Sequence, residues 1–209
     1  MTPATGVFIS FEGIDGAGKS TQIQRLAARL RDLGHKVVTT REPGGSVGAE
    51  EIRALLVTGA TGRWSPETEI LLFTAARQDH LENTIRPALA EGKIVLCDRF
   101  ADSTRIYQGV ARGDLRGLVD RLHAEVINQE PDLTLILDMD PAVGLARADA
   151  RADNEDRFEG MGQDFQTRLR AGFLALAEAE PARCTVVDAS QTADAVAEDI
   201  ATLVEARLK

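Results

Sequence analysis

The chain of 209 residues is poor in cysteine and has no long apolar run. Its two cysteines, Cys97 and Cys184, lie in apolar runs typical of strands, so we expect both to pack in the core without a disulfide, as in a reducing compartment. No run approaches the roughly 18 apolar residues that a membrane-spanning helix needs. The first residues lack the basic and apolar stretches of a signal peptide. These absences predict a cytoplasmic protein without a membrane partner.

Positive charge is also scarce, since the formal net charge is −9. This balance argues against a nucleic acid as partner, because phosphate backbones attract basic surfaces. If the protein handles phosphates, its cations must be concentrated in one pocket.

Short apolar runs alternate with longer stretches of helical periodicity. The predicted strands are Val7–Phe11, Lys36–Thr40, Ile94–Asp98, Leu133–Asp138 and Thr185–Asp188. The predicted helices cover 19–34, 66–90, 114–129, 141–150, 162–180 and 192–208. Strands that are apolar along their length are typical of parallel sheets covered by helices on both faces. We therefore predict a three-layer α/β fold with a five-stranded parallel sheet, in one domain covering residues 1–209, with ligands bound beyond the carboxyl ends of the strands.

The first predicted strand runs directly into the glycine-rich segment Gly13-Ile14-Asp15-Gly16-Ala17-Gly18-Lys19-Ser20-Thr21. It matches the P-loop pattern G-x-x-x-x-G-K-S/T, in which the glycines permit a tight turn and let backbone N–H groups face phosphates. In this pattern Lys19 reaches the β and γ phosphates, and the Ser20 hydroxyl holds Mg²⁺. The segment predicts a P-loop NTPase fold in which residues 13–21 bind the phosphates of a nucleotide.

A P-loop enzyme also needs an acidic residue at the end of an apolar strand, close to the metal. Asp98 and Asp138 both fit this pattern. Asp98 is preferred because Arg99 follows it and would place a cation where an acceptor phosphate could lie. The sequence thus predicts Ser20 and Asp98 as the Mg²⁺ ligands. A salt bridge between Asp98 and Arg99 is the alternative that the pattern leaves open.

Further motifs carry a resemblance to a known family. They are residues 11–21, Arg41-Glu42-Pro43-Gly44-Gly45, 72–77, 98–103, Tyr107-Gln108 and 156–159. Through them the chain resembles the bacterial thymidylate kinases along nearly its whole length. The first motif occurs in many families, whereas the second and fourth together, at this spacing, are specific. The resemblance implies ATP as phosphate donor, dTMP as acceptor, dTDP and ADP as products in dTTP biosynthesis, and a homodimer.

Phe73 and Arg77 are the candidates for binding the acceptor base. Four residues apart on a predicted helix, they share a face, where the ring could stack on a base while the guanidinium donates to a base carbonyl. From the residues alone, a core position for Phe73 is the alternative. The resemblance implies that this pair holds thymine, that Arg99 binds the acceptor phosphate and that Asp15 accepts from the deoxyribose 3′-hydroxyl. It also places further residues in this pocket, with Tyr107 crowding the position of a ribose 2′-hydroxyl: Glu42, Arg53, Thr104, Tyr107 and Gln108.

A polar segment at about 147–162 is predicted to close over the phosphates as a lid. In many bacterial relatives it is strongly basic, whereas here its arginines are interleaved with acidic residues. Ala17 occupies the P-loop position where the other class of the family carries arginine. We therefore expect Arg151, and next Arg147, to act on the transition state beside Lys19 and Arg99.

Two other functions remain open. A deoxynucleoside kinase also pairs a P-loop with an acidic residue followed by arginine, and would use a carboxylate base such as Glu12 or Asp15 on a 5′-hydroxyl. A GTPase-type switch would read guanine with Asn-Lys-x-Asp, but no lysine of this chain follows an asparagine. His35, His80 and His123 lack the spacing of metal ligands, and the sequence assigns them no role.

Overall fold

Five parallel strands form the centre of the molecule, in a computed structural model that describes residues 6–60, 62–111, 113–149 and 161–208. The sheet order is β2-β3-β1-β4-β5. The strands are β1 (Val7–Glu12), β2 (Val37–Arg41), β3 (Ile94–Asp98), β4 (Leu133–Asp138) and β5 (Cys184–Asp188). The predicted sheet is confirmed, and each strand boundary agrees to within one residue.

Helices connect the strands. The α-helices of the described residues are α1 (Lys19–Asp32), α2 (Val47–Val57), α3 (Pro66–His80), α4 (Arg86–Ala90), α5 (Ala101–Ile106), α6 (Arg116–Leu122), α7 (Pro141–Asp149), α8 (Gln163–Ala179) and α9 (Ala193–Arg207). Turns of π-helix extend α3, α5 and α6, at Leu81–Ile85, Tyr107–Ala111 and His123–Ile127. No helix in the described part of the chain is long and apolar enough to cross a membrane.

Alternating side chains of the strands pack on opposite faces of the sheet. Ile9 and Phe11 belong to the larger apolar cluster, which includes residues of α1, α8 and α9. Phe8 and Cys97 face the other way, into a smaller cluster with residues of the π-helical turn after α3. Both faces of the sheet are therefore covered, which gives the predicted three layers. Cys97 and Cys184 are buried and free, as predicted.

Two helices were not predicted. Helix α2 buries only Ala49, Leu56 and Val57, so its sequence carries no continuous apolar stripe of helical period. Helix α5 has six residues and starts three residues after the end of β3, which leaves too little sequence for a period to be read. The predicted helix over 66–90 is correct in extent, but it consists of α3, a π-helical turn and α4.

A buried cluster of charged side chains ties α5 to the sheet. Asp102, which is 1% exposed, accepts from Arg183 Nη1 at 2.6 Å and from Arg105 Nη1 at 2.8 Å. Thr134 in β4 donates to the same carboxylate at 3.4 Å, and its hydroxyl is 2.8 Å from that of Ser10 in β1. Burial raises the pKa of Asp102, but the hydrogen bonds and charges of the two arginines outweigh it and hold the pKa below its ordinary value.

Candidate active site

The P-loop is a turn between β1 and α1 that requires its glycines. Gly13, Gly16 and Gly18 have φ values of 130°, 75° and 90°, which side chains rarely adopt. A Cβ at Gly16 would lie 1.9 Å from the carbonyl oxygen of Gly144 in α7. The loop is thus pressed against α7 and leads into the amino terminus of α1, where backbone N–H groups and the helix dipole favour an anion.

Lys19, the first residue of α1, is held against its own loop. Its Nζ donates to the carbonyl of Ile14 at 2.9 Å and to that of Gly13 at 3.3 Å. Burial, with the nearby charge of Arg99, lowers its pKa to about 8. A phosphate bound to this loop would give the ammonium group a charged acceptor in place of these neutral carbonyls.

Ser20 and Asp98 meet at the carboxyl end of β3, where the Ser20 hydroxyl donates to Asp98 Oδ2 at 2.6 Å. These hard oxygen atoms fit Mg²⁺, which binds P-loop proteins through one or two side chains and completes its shell with water and phosphate. The described residues contain no group of three or more His, Cys, Asp or Glu that could form a metal cage of protein ligands alone. Asp138, the other candidate, is instead paired with Arg170 at 2.6 Å and 2.8 Å.

A cavity of about 290 Å³ lies beside the P-loop, and Gly16, Ala17 and Gly18 form part of its wall. The loop after β5 forms one wall, and Arg147 of α7 lies in another. The contribution of residues 189–193 was not predicted, although their position after the carboxyl end of a strand was the available signal. Arg147 Nη1 lies 3.5 Å from the sulfur of Met139. Arg151, the other predicted lid arginine, lies outside the described residues.

A second cavity, of about 170 Å³, lies on the β2 and β3 side of the P-loop. The structure brings together around it every residue that was predicted to contact the acceptor nucleotide: Asp15, Glu42, Arg53, Phe73, Arg77, Arg99, Thr104, Tyr107 and Gln108. Pro43, Val57, Phe100 and Ser103 complete the wall and were not predicted. We call this space the acceptor cavity; that these side chains bind substrate stays a prediction.

Asp15 joins the P-loop to the acceptor cavity. Its Oδ1 accepts from Arg99 Nη2 at 2.5 Å, and its Oδ2 accepts from the Tyr107 hydroxyl at 3.1 Å and from Gln166 Nε2 at 3.2 Å. Burial alone would raise the pKa of Asp15, but the charges of Arg99 and Lys19 bring it below its ordinary value. Arg99 therefore pairs with Asp15, and the alternative of a strand-end bridge to Asp98 is not what the structure shows.

Glu12 holds the turn that carries Arg99. Arg99 has a left-handed φ of 68°, which is uncommon for a residue with a long side chain. The buried Glu12 carboxylate accepts from the backbone N–H of Phe100 at 2.7 Å and from the Ser103 hydroxyl at 2.6 Å. Arg99 Nη1 in turn donates to Ser103 Oγ at 3.0 Å. Burial and the nearby Asp102 raise the pKa of Glu12 to about 7.

Arg77 lines the acceptor cavity, and its guanidinium is also held by hydrogen bonds to protein groups. Its Nε donates to Glu42 Oε2 at 2.7 Å, and its Nη2 donates to Thr104 Oγ1 at 2.9 Å. His80, three residues further along α3, has Nδ1 3.2 Å from Glu42 Oε1 and Nε2 2.7 Å from Thr40 Oγ1. The sequence assigned no role to His80, and it did not predict that this fully buried ring contacts Glu42, the partner of Arg77. Its i, i+3 spacing from Arg77 was the available signal.

Known proteins resemble this chain both in sequence and in fold. Residues 11–200 match the family model described as thymidylate kinase. A thymidylate kinase of Jannaschia sp. (strain CCS1) is 66% identical over 97% of this chain and 97% of its own, and one of Geobacter sulfurreducens is 50% identical over 94% and 95%. The crystal structure of thymidylate kinase from Ehrlichia chaffeensis superposes with a TM-score of 0.79 at 35% identity, covering 96% of this chain and 99% of that one. The chain therefore belongs to the thymidylate kinase family.

Proposed function

We propose that the protein transfers the γ-phosphate of ATP to dTMP, giving dTDP and ADP in the biosynthesis of dTTP. The observation that carries this proposal is the pair of cavities beside one P-loop, with Asp15 and Arg99 in the wall of one and Gly16, Ala17 and Gly18 in the wall of the other. Such a placement brings a donor and an acceptor phosphate together, and phosphoryl transfer depends mainly on positioning and charge stabilisation.

On the donor side, residues 13–21 would bind the triphosphate of ATP, and Lys19 would contact its β and γ phosphates. Ser20 and Asp98 would hold Mg²⁺, which when bound neutralises charge on these phosphates. The cavity beside Arg147 would take the rest of the nucleotide, since it opens from the same loop.

On the acceptor side, Arg99 would bind the phosphate of dTMP and Asp15 would accept from the 3′-hydroxyl. Phe73 and Arg77 would hold the thymine base, and Tyr107 would exclude a ribose 2′-hydroxyl. Glu42, Arg53, Thr104 and Gln108 would complete this site. A phosphate oxygen of dTMP is the nucleophile, so no nucleophilic side chain is required.

The segment at about 147–162 would act as a lid that excludes water, which could otherwise accept the phosphoryl group. Because Ala17 supplies no charge, Arg151 and then Arg147 would stabilise the transition state. We also propose that residues 1–209 form a single kinase domain, that the protein is cytoplasmic, and that it forms a homodimer, as the family resemblance implies.

The geometry around Glu12 argues against its use as the base of a deoxynucleoside kinase. A base for a 5′-hydroxyl must reach the acceptor with a carboxylate oxygen. Both oxygens of Glu12 accept hydrogen bonds from the turn that carries Arg99, and Glu12 does not line the acceptor cavity. Its raised pKa follows from burial and from Asp102, so it needs no catalytic explanation.

A steady-state coupled assay with ATP and Mg²⁺ tests the proposal. Each of dTMP, dUMP, dCMP, dAMP and thymidine is supplied as the acceptor. We expect dTMP to have the highest kcat/KM and thymidine to give no product. A preference for thymidine over dTMP would contradict the proposal and support a nucleoside kinase.

A further inference from the structure

One face of α3 carries Glu69, Phe73 and Arg77, each four residues from the next. Phe73 and Arg77 line the acceptor cavity, whereas Glu69 does not. Glu69 is nevertheless fully buried, and it contacts the cavity through Gln108. This carboxylate is outside the set of residues assigned above to substrate binding.

The contact between Glu69 and Gln108 fixes the orientation of an amide. Gln108 Nε2 donates to Glu69 Oε2 at 3.0 Å. A carboxylate can only accept hydrogen bonds, so the amide nitrogen must lie on the Glu69 side and the amide oxygen on the other. That oxygen, Gln108 Oε1, is buried and has no hydrogen-bond donor among the described residues. A buried acceptor without a partner is costly, and because Gln108 lines the acceptor cavity, a ligand bound there can supply the donor.

We propose that Glu69 is a positioning residue that sets the base specificity of the acceptor cavity, by locking the Gln108 amide with its oxygen towards the base. The proposal rests on the proposed function and deepens it. A carbonyl oxygen selects a ring N–H. Thymine and uracil carry a hydrogen on N3, whereas N3 of cytosine is an acceptor and would face the Gln108 oxygen without a hydrogen between them.

Arg77 complements this selection because a guanidinium only donates and therefore favours a base carbonyl. The two side chains thus present one acceptor and one donor to the base. This pair matches a pyrimidine that has a ring N–H next to a carbonyl. It disfavours a pyrimidine that has a ring nitrogen acceptor next to an amino group. Glu69 fixes the acceptor of this pair, the Gln108 amide oxygen. Without Glu69 the amide could rotate and present its nitrogen, a donor, to the base.

The variant Glu69→Gln tests the lock, because a glutamine at this position can donate as well as accept and so permits both orientations of Gln108. We expect the ratio of kcat/KM for dTMP to that for dCMP to fall at least about tenfold, since hydrogen-bonded sites owe large discrimination factors to groups left unpaired. The loss should lie mainly in KM, and dUMP should follow dTMP, because both bases carry N3–H. Glu67→Gln, at an exposed position of the same helix, is the matched control and should leave the ratio unchanged.

The possible results separate this inference from the proposed function. A wild-type protein that does not phosphorylate dTMP would overturn both. A wild-type protein that prefers dTMP, with a Glu69→Gln variant that loses activity equally towards dTMP, dUMP and dCMP, would overturn the lock alone. Gln108→Met, which removes the hydrogen-bonding atoms at similar length, provides a second test if Glu69→Gln does not fold. Its kcat/KM should fall for dTMP and dUMP but not for dCMP, and an unchanged ratio would equally overturn the inference.

Discussion

Lys19 of the P-loop and Arg77 and Arg99 of the acceptor cavity are cations that are each already bonded to protein groups. Lys19 donates to loop carbonyls, Arg77 pairs with Glu42, and Arg99 pairs with Asp15. These contacts hold the cations in place in a chain whose net charge is negative. Each cation therefore contributes to the free protein as well as to the proposed complex, and the two contributions can be separated experimentally.

For Lys19 the separating variable is pH. Only the ammonium form neutralises phosphate charge, and burial lowers its pKa to about 8. The value of kcat/KM for ATP reports the free enzyme, so it should fall as the pH rises above about 8. Lys19→Arg, whose guanidinium stays charged, should lower activity but remove this fall. A wild-type kcat/KM that stays level up to about pH 9.5 would contradict the assignment.

Lys19→Ala should retain less than about a tenth of wild-type kcat.

For Arg77 the two contributions are binding and stability. Arg77→Ala should weaken dTMP binding more than ATP binding, because a base carbonyl loses its donor at a cost of about 1–3 kcal/mol. It should also lower the free energy of unfolding by about 3 kcal/mol, since Glu42, with a side chain 3% exposed, loses its charged partner. Calorimetry with each nucleotide and urea denaturation measure the two effects. Equal losses of affinity for both nucleotides would remove Arg77 from the acceptor site.

Some residues of the site could be predicted from the sequence, and others could not. The P-loop and Asp98-Arg99 could be identified because their chemistry is local to a short motif, and the acceptor set could be proposed because family resemblance connects distant motifs. His80 and Glu69 could not be identified. Their contacts are to Glu42 and Gln108, which lie 38 and 39 residues away in sequence, and only the tertiary fold brings them together.

At the scale of elements, the position of the P-loop depends on how closely α7 approaches it. Gly144 allows this approach, since a Cβ there would lie 2.7 Å from the carbonyl oxygen of Asp15 and 2.9 Å from Ile14 Cδ1. The helix thus supports the loop from behind, and the loop cannot move towards it.

We expect Gly144→Ala to displace the P-loop and to raise the KM for ATP at least about fivefold, because a methyl group here meets the backbone carbonyl oxygen of Asp15 as well as the end of the Ile14 side chain. Gly117→Ala is the matched control. It also lies within a helix, but its Cβ would meet only Arg121 Nη1, at 3.5 Å. Gly117→Ala should leave the KM unchanged and stabilise the protein by about 0.4–1 kcal/mol. A Gly144→Ala variant with unchanged kinetics would show that the loop does not depend on this contact.

The proposed lid gives a second prediction at this scale. An arginine that meets a transferring phosphoryl group can be worth about 10³–10⁵ in rate. Arg151→Ala should therefore lower kcat at least about a hundredfold, a smaller loss than this range because Arg147 would partly compensate. The Kd for dTMP should barely change. A loss confined to KM would mean that the lid only holds ATP. A normal kcat in Arg151→Ala, Arg147→Ala and the double variant would exclude the lid-arginine mechanism.

Strands β1, β3 and β4 could be predicted because their apolar runs are buried on both faces, a pattern independent of what packs against them. Helix α2 could not, because it buries little and is held by tertiary contacts, such as the hydrogen bond from Ala49 N to Asp79. The π-helical turns also escaped prediction, since their periodicity cannot be told from that of the helices they extend.

At the scale of the whole molecule, the charges around Asp102 connect strands and helices that are distant in sequence. Asp102→Asn should lower the free energy of unfolding by about 3–5 kcal/mol, since Arg183 and Arg105 lose a buried counter-charge. Asp194→Asn is the control. It removes an ion pair with Arg25 in which the aspartate side chain is 86% exposed, and should cost less than about 1 kcal/mol.

The same cluster predicts a pH dependence. The folded pKa of Asp102 lies below the ordinary value of 3.8, so its contribution is present above that pH and is lost as the pH falls through the folded pKa. Acid unfolding of Asp102→Asn should accordingly be less steep than that of the wild type. Equal stability of Asp102→Asn and the wild type in urea at neutral pH would contradict the role of the cluster.

Asp15 is part of the loop that would hold one nucleotide and part of the wall that would hold the other. Any ligand that shifts this loop also shifts the carboxylate to which Arg99 and Tyr107 are bonded. The two binding equilibria are then edges of one thermodynamic cycle, and the factor by which the first nucleotide alters affinity for the second must equal the reverse factor. Binding of either nucleotide would therefore change the affinity of the enzyme for the other nucleotide before the reaction begins.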